Sequence, residues 1–110
     1  MAFDESLAER IRAVIGSPPE LAEKLMFGGI GFIIQGNMAC GVNQDRLIVR
    51  VGPDAYEAAL AKPHVQPFDM TGRPMRGWVM VEPAGLEAAE ALEAWVEQGV
   101  GFALTLPPKG

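Results

Sequence analysis

Arginine and aromatic side chains concentrate in and around one short segment, TGRPMRGW at residues 71–78. Two arginines flank a turn that Pro74 and the neighbouring glycines constrain, and a large aromatic side chain follows. Together with two arginines of a predicted strand, this segment predicts a small patch on an open sheet face that binds an anion or a partner. The residues of this predicted arginine patch are Arg46, Arg50, Arg73, Arg76 and Trp78. The alternative interpretation is that the arginines pair with the surplus carboxylates of the chain and cover apolar surface.

Glycines are dense in the segment at residues 25–42, LMFGGIGFIIQGNMACGV. A phosphate-binding P-loop requires lysine and then serine or threonine after its last glycine, whereas Gly36 is followed by Asn37 and Met38. A dinucleotide-binding loop requires a third glycine and then a helix, where this chain has isoleucine and a predicted strand. The glycines therefore indicate entry into a strand and close approach of backbones, and no nucleotide site is predicted.

Side chains that commonly perform catalysis or bind metals are few and scattered. The single cysteine, Cys40, and the single histidine, His64, have no partners at ligand spacing, so neither a metal nor a cofactor is expected. Cys40 lies in a predicted central strand, where a free cysteine usually serves as a small buried apolar group. Most acidic residues lie on helix faces, and the chain offers only Ser6 and Ser17 as serine nucleophiles. The sequence therefore predicts no catalytic residue.

Charge and composition limit the classes of partner. Nine basic residues are outnumbered by 14 acidic ones, and the resulting net charge of −5 opposes general binding to nucleic acid. A chain of 110 residues with 49% hydrophobic content is expected to form one soluble domain, residues 1–110. The uncharged run at 25–44 contains glycines and amides, so it is not expected to cross a membrane. The charged N-terminal segment differs from a signal peptide, and with a single cysteine this predicts a cytoplasmic location.

Apolar periodicity and turn residues predict alternating helices and strands. Helices are predicted at residues 3–15, 18–27, 53–61 and 86–107, and strands at 30–35, 37–42, 46–51, 65–69 and 75–82. The predicted fold is α+β, a two-layer sandwich of the form α-β(3)-α-β(2)-α with helices on one face of an antiparallel sheet. Within the third strand, Leu47, Val49 and Val51 are expected to face the core, and Arg46, Ile48 and Arg50 the open face.

Four short motifs in this order resemble the N-terminal domain of the TfoX/Sxy family. They are MFGG at 26–29, DRLIVRV at 45–51, TGRPMRGWVMV at 71–81 and LPPK at 106–109. The resemblance extends over roughly residues 5–109, and it implies the same α-β(3)-α-β(2)-α sandwich. It also implies a bacterial regulator that acts through transcription machinery rather than as an enzyme. In the first motif, Met26, Phe27, Gly28 and Gly29 are expected to serve the fold, with Phe27 buried beneath the core.

Several functions remain open at this point. The first is a non-enzymatic regulatory module that contacts a protein partner, or a second copy of the chain, through apolar side chains such as Trp78 and Met80 on the open face. The second is a small-ligand carrier or an enzyme that holds an anionic substrate with the predicted arginine patch. Direct binding to nucleic acid is the least favoured, because the C-terminal helix is rich in glutamate and would repel phosphates.

Overall fold

A computed structural model describes residues 3–16, 18–26, 29–69 and 75–108. These residues form a six-stranded antiparallel sheet with the strand order β1-β2-β3-β4-β6-β5. The strands are β1 (Leu21–Met26), β2 (Gly29–Ile34), β3 (Asn37–Asn43), β4 (Arg46–Arg50), β5 (Val65–Pro67) and β6 (Trp78–Val81). The helices are α1 (Glu5–Ile15), α2 (Tyr56–Leu60) and α3 (Ala89–Leu104), with a 3-10 turn at Pro83–Gly85. The predicted α+β class is confirmed.

The central meander of β2, β3 and β4 follows the predicted pattern closely. The β2–β3 connection uses Gln35 and Gly36, both with positive φ (53° and 83°), which is the backbone twist that a two-residue hairpin turn requires. Gln44, also at positive φ, reverses the chain between β3 and β4. Gly36 adopts this conformation without strain, and both Gly36 and Gln44 lie in the breaks predicted between the strands at 30–35, 37–42 and 46–51.

The segment at residues 18–27 is the main correction to the predicted elements. A second helix is expected there, but residues 21–26 form strand β1, which pairs with β2 from Leu21 opposite Ile34 to Met26 opposite Gly29. Local propensity favours a helix, because alanine, glutamate, lysine and leucine are good helix formers. A helix this short is marginal, however, whereas a strand satisfies the backbone groups along the edge of β2. The sheet therefore begins one strand earlier than predicted.

The remaining boundaries differ from the predictions mainly by being shorter. Strand β5 has three residues and β6 has four, and α2 begins three residues after Pro53. Helix α3 begins at Ala89 rather than at residue 86, because a 3-10 turn at Pro83–Gly85 and three residues in a bend precede it. Strand β6 lies between β4 and β5, so the second hairpin extends the sheet on the side away from β1.

All three of these helices lie on one face of the sheet, as predicted. Their apolar side chains join a single cluster with side chains of the strands, including Ile11 of α1, Tyr56 of α2 and Val96 of α3. The core residues predicted for β4, Leu47 and Val49, are fully buried within this cluster. The opposite face of the sheet carries no helix formed by the described residues.

Several predicted features lie outside the described residues. Phe27, Gly28 and the turn residues 71–74, including Arg73, are among them, and so is the last residue of the LPPK motif. Among the helices that the described residues form, none has the length and hydrophobicity needed to cross a membrane.

Candidate functional site

The open face of the sheet carries the side chains of β4 and β6 that alternate away from the core. Arg50 lies directly opposite Trp78 in the ladder, and Ile48 lies opposite Met80. Ile48 is only 3% exposed, although no helix formed by the described residues covers it. We call the surface formed by Arg46, Ile48, Arg50, Trp78 and Met80 the open-face patch.

Arg50 lies at one end of this patch, and its guanidinium contacts two aromatic rings. Its Cζ atom is 5.1 Å from the centroid of the Trp78 ring and 5.6 Å from that of Phe102. Phe68 extends the row, with its ring centroid 6.2 Å from that of Trp78. Cation–π contacts hold the guanidinium in place without using its N–H groups. Within the described ranges, no ion pair joins Arg50 to a carboxylate.

Two glycines shape the backbone around this cluster. The carbonyl of Gly77 accepts hydrogen bonds from the backbone N–H groups of Val51 (2.8 Å) and Gly52 (3.0 Å), which fastens the end of β4 to the start of β6. Gly52 has a φ of 88°, and a Cβ atom at this position would overlap the ring of Phe102. Glycine at position 52 therefore allows the end of α3 to bring Phe102 against Arg50.

Arg46 occupies the other end of the patch and is already paired. Its Nε lies 3.2 Å from the Glu82 carboxylate, and its Nη1 lies 3.9 Å from the sulfur of Met80. The same carboxylate accepts a hydrogen bond from the side-chain amide of Gln66. The positive charge of Arg46 is thus locally balanced, whereas no carboxylate of the described residues balances that of Arg50.

The two other members of the predicted arginine patch are Arg76 and Arg73. Arg76 is exposed to solvent just before β6, and Arg73 lies outside the described residues. The structure thus brings together Arg46, Arg50 and Trp78.

In the first motif, a Cβ atom at Gly29 would overlap the backbone carbonyl of Val42, so this glycine permits the close pairing of β2 with β3.

Cys40 is fully buried in the core, and burial raises the pKa of its thiol to about 12. The thiol therefore stays protonated at neutral pH, and a protonated, inaccessible thiol is a poor nucleophile. His64, by contrast, is exposed beside β5. In the described part of the chain, no group of three or more acidic, histidine or cysteine side chains is placed to hold a metal ion.

Sequence analysis did not identify Phe68 and Phe102 as neighbours of the arginines. Phe102 is 52 positions after Arg50, and helical periodicity assigns it only to one side of α3. The available signal was Gly52, since a glycine directly after a strand indicates that another group approaches the backbone closely.

Comparison with known protein families gives one result. The model of the TfoX N-terminal domain matches residues 15–103. No curated protein and no solved structure matches the chain.

Proposed function

Because the chain belongs to the TfoX N-terminal domain family, we propose that it is a small bacterial regulatory module that acts in the cytoplasm by binding another protein. The observation that carries the proposal is the environment of Arg50. The Arg50 side chain lies at the end of β4, where its guanidinium contacts Trp78 of β6 and is reached by Phe102 of α3, and it has no carboxylate partner in the described residues. Arginine and tryptophan are the side chains that most often dominate the binding energy of protein interfaces.

The chemistry of the open-face patch suggests an acidic partner segment. The chain as a whole carries a net charge of −5, so the positive charge of Arg50 is a local exception on an acidic surface. Its stacked guanidinium is preorganised, which lowers the entropy that binding would otherwise cost. A carboxylate of the partner would receive the guanidinium N–H groups, while an apolar neighbour of that carboxylate would contact Trp78 and Met80.

The experiment is affinity capture from a native bacterial lysate with the wild-type protein and the Arg50→Glu variant. Arg50→Glu is expected to abolish capture of the partner because it reverses the charge at this end of the patch. Lys62→Glu is the matched control: Lys62 also stacks on an aromatic ring, 4.9 Å from the centroid of Trp95, but lies on the helical side.

A protein captured by the wild type and by Lys62→Glu, and lost with Arg50→Glu, would support the proposal. Circular dichroism must show that both variants remain folded. Equal capture by all three proteins, or no capture under varied conditions, would contradict it.

A second candidate function is the binding of a small anionic ligand, with or without catalysis. The same observation favours it, since the N–H groups of Arg50, which have no carboxylate partner among the described residues, can also bind a free phosphate or carboxylate. Isothermal titration with inorganic phosphate and with a dicarboxylate distinguishes the two. Saturable binding that Arg50→Ala removes would favour a ligand, whereas the absence of binding favours the protein partner.

A further inference from the structure

A second surface lies on the helical side of the molecule, away from the open-face patch. It is a groove of about 340 Å³ between the end of α1, the segment at 18–20 and the C-terminal half of α3. Apolar side chains line most of it: Val14, Ile15, Ile34, Val96, Val100 and Leu104. Leu104 is 51% exposed at its margin, which continues the apolar surface beyond the groove.

Gly101 is the residue of this groove that the fold does not explain. It lies within α3, and apart from its own helical turn a Cβ atom at this position would meet no atom of the described residues within 4 Å. Its φ is also outside the left-handed region that favours glycine. Glycine destabilises the interior of a helix relative to alanine, and neither a contact nor a backbone conformation within the described residues requires it here.

Gly99, two positions earlier, provides the contrast. A Cβ atom there would lie 2.5 Å from the backbone oxygen of Ala39, so the packing of α3 on the sheet requires glycine. Gly101 instead faces the groove, where the missing side chain leaves room for atoms from outside the chain. A ligand or partner that approaches the backbone of α3 closely at this point would require glycine here.

Charge defines the chemistry of that occupant. Glu20 and Glu97 line the groove, are exposed, and form no ion pair within the described residues. Two uncompensated carboxylates beside an apolar surface complement a segment that carries both apolar anchors and basic side chains.

The shape of the groove favours a protein segment over a small molecule. Sites for small molecules usually surround most of the ligand. Here four lining residues are solvent-exposed, namely Glu20, Glu97, Gly101 and Leu104. An open apolar trough of this kind accepts anchor side chains spaced along one face of an amphipathic helix.

We propose that this groove docks a basic amphipathic segment of a partner protein, with its apolar side chains over Gly101 and its lysines or arginines at Glu20 and Glu97. This proposal does not rest on the open-face patch, which has the opposite charge. A domain with both surfaces can connect an acidic and a basic partner.

The probe is a fluorescein-labelled helical peptide with leucine at positions i, i+3, i+4 and i+7 and lysine elsewhere. Its matched counterpart carries glutamate in place of every lysine. Fluorescence anisotropy is expected to show saturable binding of the basic peptide alone. Gly101→Leu is expected to weaken this binding at least about tenfold, because the added side chain fills the groove.

Ala94→Leu adds a bulky side chain to the same helix outside the groove, and it should leave the affinity unchanged. Glu97→Gln should weaken binding and reduce its salt dependence, whereas Glu57→Gln, which removes a charge from α2, should not. Thermal melts establish that each variant is folded.

The proposal is overturned if the basic peptide does not bind, or if the acidic peptide binds equally well. It is also overturned if Gly101→Leu and Ala94→Leu have the same effect, because the basic peptide would then bind the acidic surface without using the groove. Arg50→Glu must leave peptide binding intact, so a failure here is separate from a failure of the proposed function.

Discussion

At the scale of single residues, Cys40 shows how burial controls reactivity. Its side chain has no exposed surface, and the low-polarity surroundings disfavour the thiolate, which raises the pKa of the thiol from 9.0 to about 12. In the unfolded chain the thiol titrates at its ordinary pKa. The folded state therefore binds this proton more tightly than the unfolded state does.

This difference predicts a pH-dependent contribution to stability. The contribution is fully present below pH 9.0 and is lost as the pH rises towards about 12, because the unfolded chain then releases a proton that the folded chain retains. The melting temperature of the wild type should therefore fall more steeply above pH 9.0 than that of Cys40→Ala. Thermal melts of both proteins under reducing conditions measure this, and the other titrating groups cancel in the comparison. Parallel curves would show that Cys40 ionises in the folded protein.

At the scale of elements, α3 contains two glycines with different roles. Gly99 permits the contact with the backbone of Ala39, whereas Gly101 faces open space. Gly101→Ala is expected to increase the free energy of unfolding by about 1 kcal/mol through helix propensity. Gly99→Ala is expected to decrease it by about 1–3 kcal/mol, because the added methyl group displaces α3 from the sheet.

Urea denaturation of the two variants measures both changes on the same helix. The pair serves as its own control, since each variant makes the same chemical substitution two positions apart. A destabilising effect at Gly101 would mean that an internal contact, rather than an external one, requires glycine there.

Strand β1 illustrates how an element depends on its neighbours. The sequence LAEKLM has the composition of a helix, yet it adopts an extended conformation opposite β2. Arg12 of α1 fastens this strand from the helical side, with its Nη2 2.9 Å from the Glu23 carboxylate. The hydrogen bonds from Arg12 to Glu23 and Glu9 raise the pKa of the guanidinium above its usual value.

At the scale of the whole molecule, the uncovered sheet face predicts self-association. A two-fold contact would bury Trp78 and Met80 of both copies, and it requires each Arg50 to reach a Glu or Asp side chain of the other copy, because facing arginines would repel each other. Burial of apolar area gains about 25 cal/mol per Å², less the cost of association. Sedimentation at micromolar concentrations is expected to show a species larger than the 11.8 kDa monomer.

Trp78→Asp is expected to restore the monomer, because it removes the largest apolar side chain of that contact. The matched control is Leu104→Asp, which places the same charge at an exposed apolar position on the helical side. A wild-type monomer at every concentration would exclude the dimer, and a dimer that survives Trp78→Asp but not Leu104→Asp would place the contact at the groove.

The sequence by itself determined the elements whose signals are local. Alternating apolar residues and the turn residues at 35–36 and 44–45 define β2, β3 and β4, and the apolar stripe of α3 follows from helical periodicity. The same alternation placed Arg46 and Arg50 on the open face, and the motifs at 26–29 and 45–51 led to the family. These features can be predicted because each depends on residues that are neighbours in the chain.

The tertiary structure decided the features that join distant residues. Strand β1 is extended because β2 offers it a pairing edge, which outweighs the helical propensity of the segment. Arg46 is balanced by Glu82 and Arg50 is held by Phe102, although both arginines belong to the same strand. The groove exists only where α1 and α3 meet beside Ile34. Residue type and periodicity specify which face a side chain occupies, but its partner across the fold depends on the packing of elements far apart in sequence.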